Sequence, residues 1–436
     1  MGYVTLSLFI IMLLLGSRRE PWALTLLMMM LLIEIPLQAS IATFRATPAL
    51  TNILSAATVA LCAMKVISRQ TSPFLGYCSR EFWLTIAIFA WSAVSLMWTP
   101  AESLPPGRVI SATGSYIITE ALPYFVVFVL IAPLLATDCD IWARTCRVLI
   151  WVGPLIAGSL ILNPEISIRG GRLGTELQGT LRSSPLALSQ AGGMIAIAGA
   201  LAITPAGNQV LKALRWMAFL GGAAVTLLSG TRGQAIFTVV CIAIAFPLSR
   251  PLKSFRSYAA FIASVAVMLT AGAVLFDIAM SQTDNDRWTA DAISRGTNVR
   301  VQNISDLFNA FVENPLSWLI GLGFNAFTAY SRQLTEGYSH NMFVDVLCEE
   351  GVPMFFALCC VIYGAARASA RLISRFADDP PRRSAISTLT AFALFAILIS
   401  GKEGNLWSSW SVFMFCLIIV RIDLRESVAD PVSETS

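Results

Sequence analysis

Long apolar runs recur from one end of this chain to the other, and they constrain its fold more than any other feature. "LFIIMLLL", "FVVFVLIAPLLA", "FTVVCIAIAFPL" and "FIASVAVMLTAGAVLF" each approach the roughly 20 apolar residues that carry a helix across about 30 Å of hydrocarbon. A membrane β-barrel would instead alternate apolar and polar residues. Charged residues make up only 13% of the chain, against about 25% in soluble domains. The pattern predicts an all-α polytopic membrane protein with about 12–13 transmembrane helices, near 2–16, 22–44, 47–66, 82–98, 113–136, 148–163, 184–204, 212–230, 233–249, 257–279, 342–366, 384–401 and 407–421. The opening "MGYVTLSLFIIMLLLGSRRE" has no charged residue ahead of its apolar core and reads as a retained membrane segment rather than a cleaved signal.

Basic residues set the orientation, because Lys and Arg accumulate on the cytoplasmic side. Alternate loops hold Arg18 and Arg19; Lys65, Arg69 and Arg80; Arg144 and Arg147; Lys212 and Arg215; Arg250, Lys253 and Arg256; and Arg367, Arg371, Arg375, Arg382 and Arg383. Arg421 and Arg425 follow in the tail, and this side is assigned as cytoplasmic. The net charge of +4 is thus a topology signal and points to no nucleic-acid partner. Cys62, Cys241, Cys348, Cys359, Cys360 and Cys416 fall in membrane segments, and Cys78, Cys139 and Cys146 in cytoplasmic loops. No disulfide framework is indicated, and a single histidine with no Cys/His cluster offers no metal site.

Chemistry therefore belongs to the outer side. One outer loop, 163–183, carries Arg169, Arg172 and Arg182. The longest, 281–340, carries Arg287, Arg295, Arg300 and Arg332 and ends at His340, the only histidine in the chain. The guanidinium fork grips phosphate or carboxylate bidentately. Arg169, Arg287, Arg295 and Arg332 are expected to pair with the nearby Asp284, Asp286, Asp291, Asp306, Glu313 and Glu336, or to meet lipid headgroups. Arg232 lies between two apolar runs with no acidic neighbour in sequence, and a charge at such depth is by default a functional residue. Between Arg300 and Asn314, Val301, Ile304, Leu307, Phe308 and Phe311 recur at helical spacing, with Gln302, Asn303, Asp306 and Asn309 opposite. This predicts an amphipathic outer-surface helix with the first set packed and the second set wet.

At this point the residues carry a resemblance. "SGTRGQ" around Arg232, "RVQNISDLFNAFVENPLSWLIGLGFNAF", and "SHNMFVDVLCEEGVPMFF" resemble, in order, three blocks of the O-antigen ligase and polymerase superfamily. "SLMWTPAESL" around Trp98 resembles a weaker element of it. The likeness covers roughly residues 85–365, with its motifs concentrated in 229–353. It implies a GT-C-type membrane glycosyltransferase of the inner membrane, with its site facing the periplasm and no metal ion or other cofactor. The implied donor is a glycan on undecaprenyl diphosphate, and the implied acceptor is a glycan or lipid A core. Membrane lipids, a flippase and a chain-length regulator are further expected partners. The family's essential arginines map to Arg232 and Arg300 and its histidine to His340. Arg169 or Arg172, with Arg182 as an extra contact, maps to the earlier loop, where "GTLRSSPLAL" departs from the usual Pro-Asn step. The expected organisation is an N-terminal transmembrane bundle at 1–279, a large periplasmic loop with short amphipathic helices at 280–341, C-terminal helices at 342–425 and a cytoplasmic tail at 426–436.

The residue types suit that chemistry on their own account. A lipid diphosphate leaving group develops negative charge, which fixed guanidinium groups in a poorly hydrated site stabilise. The acceptor hydroxyl must lose a proton, and a histidine with an ordinary pKa near 6.5 suits a general base. Ser339 is expected to cap a helix starting at His340, with Asn341 or Asp345 orienting the ring; Asn341 and Asp345 are expected, with Arg169, Arg172 and Arg182, to contact the diphosphate or the glycan. Repeat-unit polymerisation is the favoured reading, with ligation to lipid A core as the alternative. A transporter or lipid flippase is more remote, because no internal repeat or mid-membrane charge pattern supports it.

Overall fold

The computed structural model describes residues 2–47, 49–70, 72–100, 121–163, 166–169, 172–177, 180–182, 185–203, 208–250, a few positions between 255 and 270, 290–330 and 339–429. Most of the expected segment 257–279 lies outside these residues, as do Lys253, Asp284, Asp286, Arg287, Arg332, Glu336 and the end of the Trp98 element. Every other expected segment carries helix.

In chain order the elements begin with α1 (Gly2–Gly16), α2 (Glu20–Ser40), α3 (Ala42–Ala46), α4 (Leu50–Arg69), α5 (Arg80–Ser95), α6 (Leu122–Leu135) and α7 (Cys139–Ile161). Strands β1 (Ile166–Arg169), β2 (Arg172–Leu177) and β3 (Thr180–Arg182) follow, then α8 (Pro185–Leu201), α9 (Gln209–Leu228) and α10 (Arg232–Ser249). The remainder is α11 (Ala290–Glu313), α12 (Ser317–Ile320), α13 (Phe327–Tyr330), α14 (Met342–Glu350), α15 (Val352–Arg375), α16 (Pro380–Glu403) and α17 (Trp410–Ala429). Six of the described helices are long and apolar enough to cross a membrane, or seven if the bent α2 is one span. The chain is an all-α multi-pass membrane protein, with a small antiparallel meander added at β1–β3. Fewer helices qualify as spans than the apolar runs suggest. At 1.5 Å per residue, 16-residue α5 and the shorter apolar helices α1, α6 and α8 are too short by themselves.

The expected single helix over 342–366 is instead two. Gly351 has φ +88° and ends α14, and α15 restarts at Val352. A left-handed residue cannot continue a right-handed helix.

The chain forms two compact units. The first comprises Met1–Pro73, Leu134–Arg287 and Ser369–Phe395; the second comprises Phe74–Pro133, Trp288–Ala368 and Ala396–Ser436. In the first, α8 and α9 pack backbone to backbone. A Cβ on Gly222 would lie 2.5 Å from the Gly192 carbonyl oxygen, and one on Gly199 would lie 2.6 Å from the Phe219 nitrogen. Such small-residue contacts suit helices in lipid, where close van der Waals packing replaces hydrophobic driving force. Trp142 is fully buried and meets Phe392 edge-on, centroids 6.0 Å apart.

The second unit is built on aromatic rings. Phe89 contacts Phe125 (4.6 Å), Trp407 (4.9 Å) and Phe413 (4.9 Å). Trp407 Nε1 donates to Ser92 Oγ (2.9 Å), and Trp91 Nε1 donates to the Glu350 carbonyl (3.1 Å). Arg421 is not a tail residue. It lies within α17, buried, and donates to the Pro133 carbonyl. Its neighbours Ile418, Ile419 and Ile422 are buried as well, so α17 extends the packed core past the last apolar run.

Candidate active site

The Arg232 motif is a helix junction. α9 ends at Leu228, Gly230 turns the chain at φ +74°, and α10 begins at Arg232. Ser229 Oγ lies 2.9 Å from Thr231 Oγ1. A guanidinium in the first turn sits at the positive end of the helix dipole, where a cation is disfavoured and an anion welcome. The half-buried Arg232 and the N-terminus of α10 thus place two positive features side by side. Also in this unit, the meander sets Arg169 opposite Arg172 and Arg182 opposite Thr175. Residues 172 and 175 are an odd step apart on β2, so positions 172 and 182 fall on opposite faces of the sheet.

The second unit holds Arg300, His340, Asn341 and Asp345. α11 is longer than the expected amphipathic piece, and it packs differently. Leu307 and Phe311 are buried against Leu322, Phe327 and Cys348, with Val344 and Leu347 of α14 alongside. But Asn303 and Asp306 are buried too, while Val301, Phe308 and Val312 are exposed. The expected dry and wet faces are thus partly exchanged. Residues 303, 306, 307 and 311 share one helical face, so covering Leu307 and Phe311 takes in a face with polar members. Gln302 Nε2 donates to Asp306 Oδ1 (2.8 Å). Arg300 lies one turn before Asn303, with Nη2 3.6 Å from Glu403 Oε1. Lys402 also pairs with Glu403.

Helix α14 does not start at His340, and Ser339 is not its cap. Asn341 is the cap. Its Oδ1 accepts from Phe343 N (3.0 Å) and Val344 N (3.2 Å), satisfying two amides at the helix start. Ser339 is fully buried, donates to the Asp345 carboxylate and accepts from Asn341 N (3.2 Å). Between Ser339 and Asn341 stands His340 at φ +64°. Outside glycine such a left-handed backbone is uncommon and costs of order 1 kcal/mol. The hydrogen bonds on either side hold it there.

Two further acids of α14 were not singled out from sequence. Glu349 accepts from Asn325 N (3.0 Å) and Phe327 N (3.0 Å), while the Cys348 and Glu349 carbonyls accept from Leu322 N (2.9 Å) and Gly323 N (2.9 Å). The "GLGF" loop is thereby strapped to the end of α14. Gly321, at φ +78°, is required there, since a Cβ would lie 2.0 Å from the Glu349 carbonyl oxygen. Thr99 Oγ1 donates to the Phe324 carbonyl (3.0 Å), joining the Trp98 element to the same loop. Burial pushes Glu349 up to about 7 and Glu350 up to about 8, because a low-dielectric surrounding disfavours the charged carboxylate. Both residues are part of the quoted "CEEG" block. Nothing in the sequence marks them as buried.

Three of the four resembling blocks thus meet in one unit around α14. Residues 216–359 match the O-Antigen ligase family. The match spans the Arg232 junction, α11, the glycine loop and the His340 turn, and it bears out the resemblance to O-antigen ligases and polymerases. The likeness is to glycosyltransferase-like membrane enzymes. No curated protein matches the chain. Among the described residues no group of three His, Cys, Asp or Glu side chains is arranged to hold a metal ion.

Proposed function

We infer that the protein transfers a glycan from a polyprenyl diphosphate carrier to an acceptor hydroxyl at the periplasmic face of the inner membrane. His340 takes the acceptor proton as the anomeric C–O bond breaks. Arg232 and Arg300 stabilise the diphosphate that leaves, with Arg169 or Arg172 as a further contact to the diphosphate and Arg182, on the other face of the meander, as an extra contact to the glycan. Asn341 and Asp345 hold the His340 turn. The observation that carries this reading is the strained backbone of His340, fixed between Ser339 and the Asn341 cap inside the stretch that matches the family. Backbone strain persists where surrounding structure over-determines it, and it clusters at active sites.

Polymerisation of O-antigen or exopolysaccharide repeat units is the favoured form of the reaction. Ligation to lipid A core is the second reading, favoured by the description of the matched family. Full-length protein in lipid nanodiscs, given a repeat unit on undecaprenyl diphosphate, tests both. A ladder of longer lipid-linked glycans supports polymerisation. A single product formed only when lipid A core is added supports ligation. No glycan transfer with either acceptor rejects the proposal.

A further inference from the structure

The first unit contains a second basic site that the glycan-transfer chemistry does not use. A cavity of about 630 Å³ is lined by Arg18, Arg19, Arg69, Arg144 and Arg147, with Glu20 the one carboxylate among its lining residues. Five guanidinium groups converge from three places: the turn between α1 and α2, the last residue of α4, and the flank of α7. Among the described residues none of the five forms an ion pair. Like charges gathered around a cavity repel one another, and an anion inside it relieves that repulsion.

The cavity continues into an apolar surface. Arg144, Arg147, Val148 and Trp151 are spaced i, i+3, i+4, i+7 on α7, so they share one face. The same face runs on to Leu155 and Leu162, and Trp151, Leu155 and Leu162 are all exposed. On α4, Leu61 and Met64 are exposed in the two turns before Arg69. Each helix therefore presents a cationic end followed by an exposed apolar row. A soluble anion has use for the first only. A phospholipid has use for both, with its phosphate among the arginines and its acyl chains along the rows. Trp22 and Trp151 at the cavity suit the headgroup level, where tryptophan is enriched.

We propose that this cavity binds the phosphate headgroup of an anionic phospholipid. Arginine forks match phosphate oxygens bidentately, and basic pockets between transmembrane helices are suited to such headgroups. The site is independent of the proposed glycan transfer, and its test does not read that activity.

Native mass spectrometry of the full-length protein in detergent, titrated with phosphatidylglycerol, phosphatidylcholine or inorganic phosphate, decides the matter. Phosphatidylglycerol should bind at least about tenfold more tightly than phosphatidylcholine. Arg144→Gln with Arg147→Gln, and separately Arg18→Gln with Arg69→Gln, should each weaken it by roughly 25-fold, about fivefold per arginine. Arg367→Gln with Arg375→Gln removes two exposed basic residues of α15 and should leave affinity unchanged. Should one cavity pair lower the melting temperature, the other pair gives the answer. Equal affinity for the two lipids overturns the proposal, as does an equal loss in the α15 control or unaltered binding in a well-folded cavity variant. Millimolar inorganic phosphate that binds without any preference for phosphatidylglycerol overturns the lipid assignment in favour of a soluble phosphate.

Discussion

Arg300 is held 3.6 Å from the buried carboxylate of Glu403, which Lys402 also approaches. The Arg300 side chain is 37% exposed, so the pair contributes little to stability, ~0–1 kcal/mol. Its importance is electrostatic. In the proposed reaction Glu403 offsets part of the charge with which Arg300 would attract the diphosphate. Glu403→Gln is predicted to lower the apparent KM for the lipid-linked donor several-fold while shifting Tm by only a few degrees. Arg300→Lys keeps the charge but loses the fork, and should raise that KM. Steady-state kinetics in nanodiscs check both, and an unchanged KM in both variants would separate Arg300 from the donor.

The left-handed backbone of His340 dictates which substitution tests it cleanly. Asparagine tolerates that region and β-branched residues do not. His340→Asn should keep the melting temperature and lose roughly 10²–10⁴ in turnover, the usual range for a general base. His340→Val should lose stability as well. If His340→Asn turns over at the wild-type rate, the proton goes elsewhere.

Asn341 caps α14 through two amides, so its replacement acts through structure. Asn341→Ala should cost ~1 kcal/mol, and Asn341→Asp much less, because aspartate caps equally well. Thermal melts of the two variants distinguish this from direct contact with substrate, which would penalise both in activity at unchanged stability.

Glu350, at the end of α14 and outside the membrane-crossing helices, is raised by burial from its ordinary 4.5 to about 8. The folded state therefore binds more protons than the unfolded state between those values. Its stability contribution is full below pH 4.5, falls as pH rises and is lost above pH 8. Glu350→Gln stays neutral throughout. Its Tm should match wild type near pH 4.5 and exceed it by several degrees near pH 8. A Tm difference that is the same at both ends of the range would show that Glu350 does not titrate there.

The exposed Glu313, at the end of α11, reports orientation. Glu313→Cys, in a background with the exposed Cys78 and Cys359 replaced, is predicted to react with a membrane-impermeant thiol reagent in outer-membrane-permeabilised cells. Labelling only after inner-membrane lysis would place α11 on the cytoplasmic side.

The membrane class, most of the helical segments and the order of the motif blocks were legible in the sequence. Apolar run length fixes a membrane helix because the bilayer supplies the same environment along the whole segment. The junction around "SGTRGQ" formed between its two apolar runs, at Gly230, whereas the helix start expected at His340 lies at Met342, behind a left-handed turn. What periodicity could not decide was which face of a helix would be covered. On α11 the apolar Val301 and Phe308 looked like the packed face, yet the face that carries Leu307 and Phe311 was covered, and Asn303 and Asp306 are buried with it. The break at Gly351, the burial of Arg421 and the strapping of the glycine loop by Glu349 are equally tertiary. Each depends on partners far away in the chain, and only their joint placement in three dimensions makes a buried charge or a left-handed turn the lower-energy arrangement.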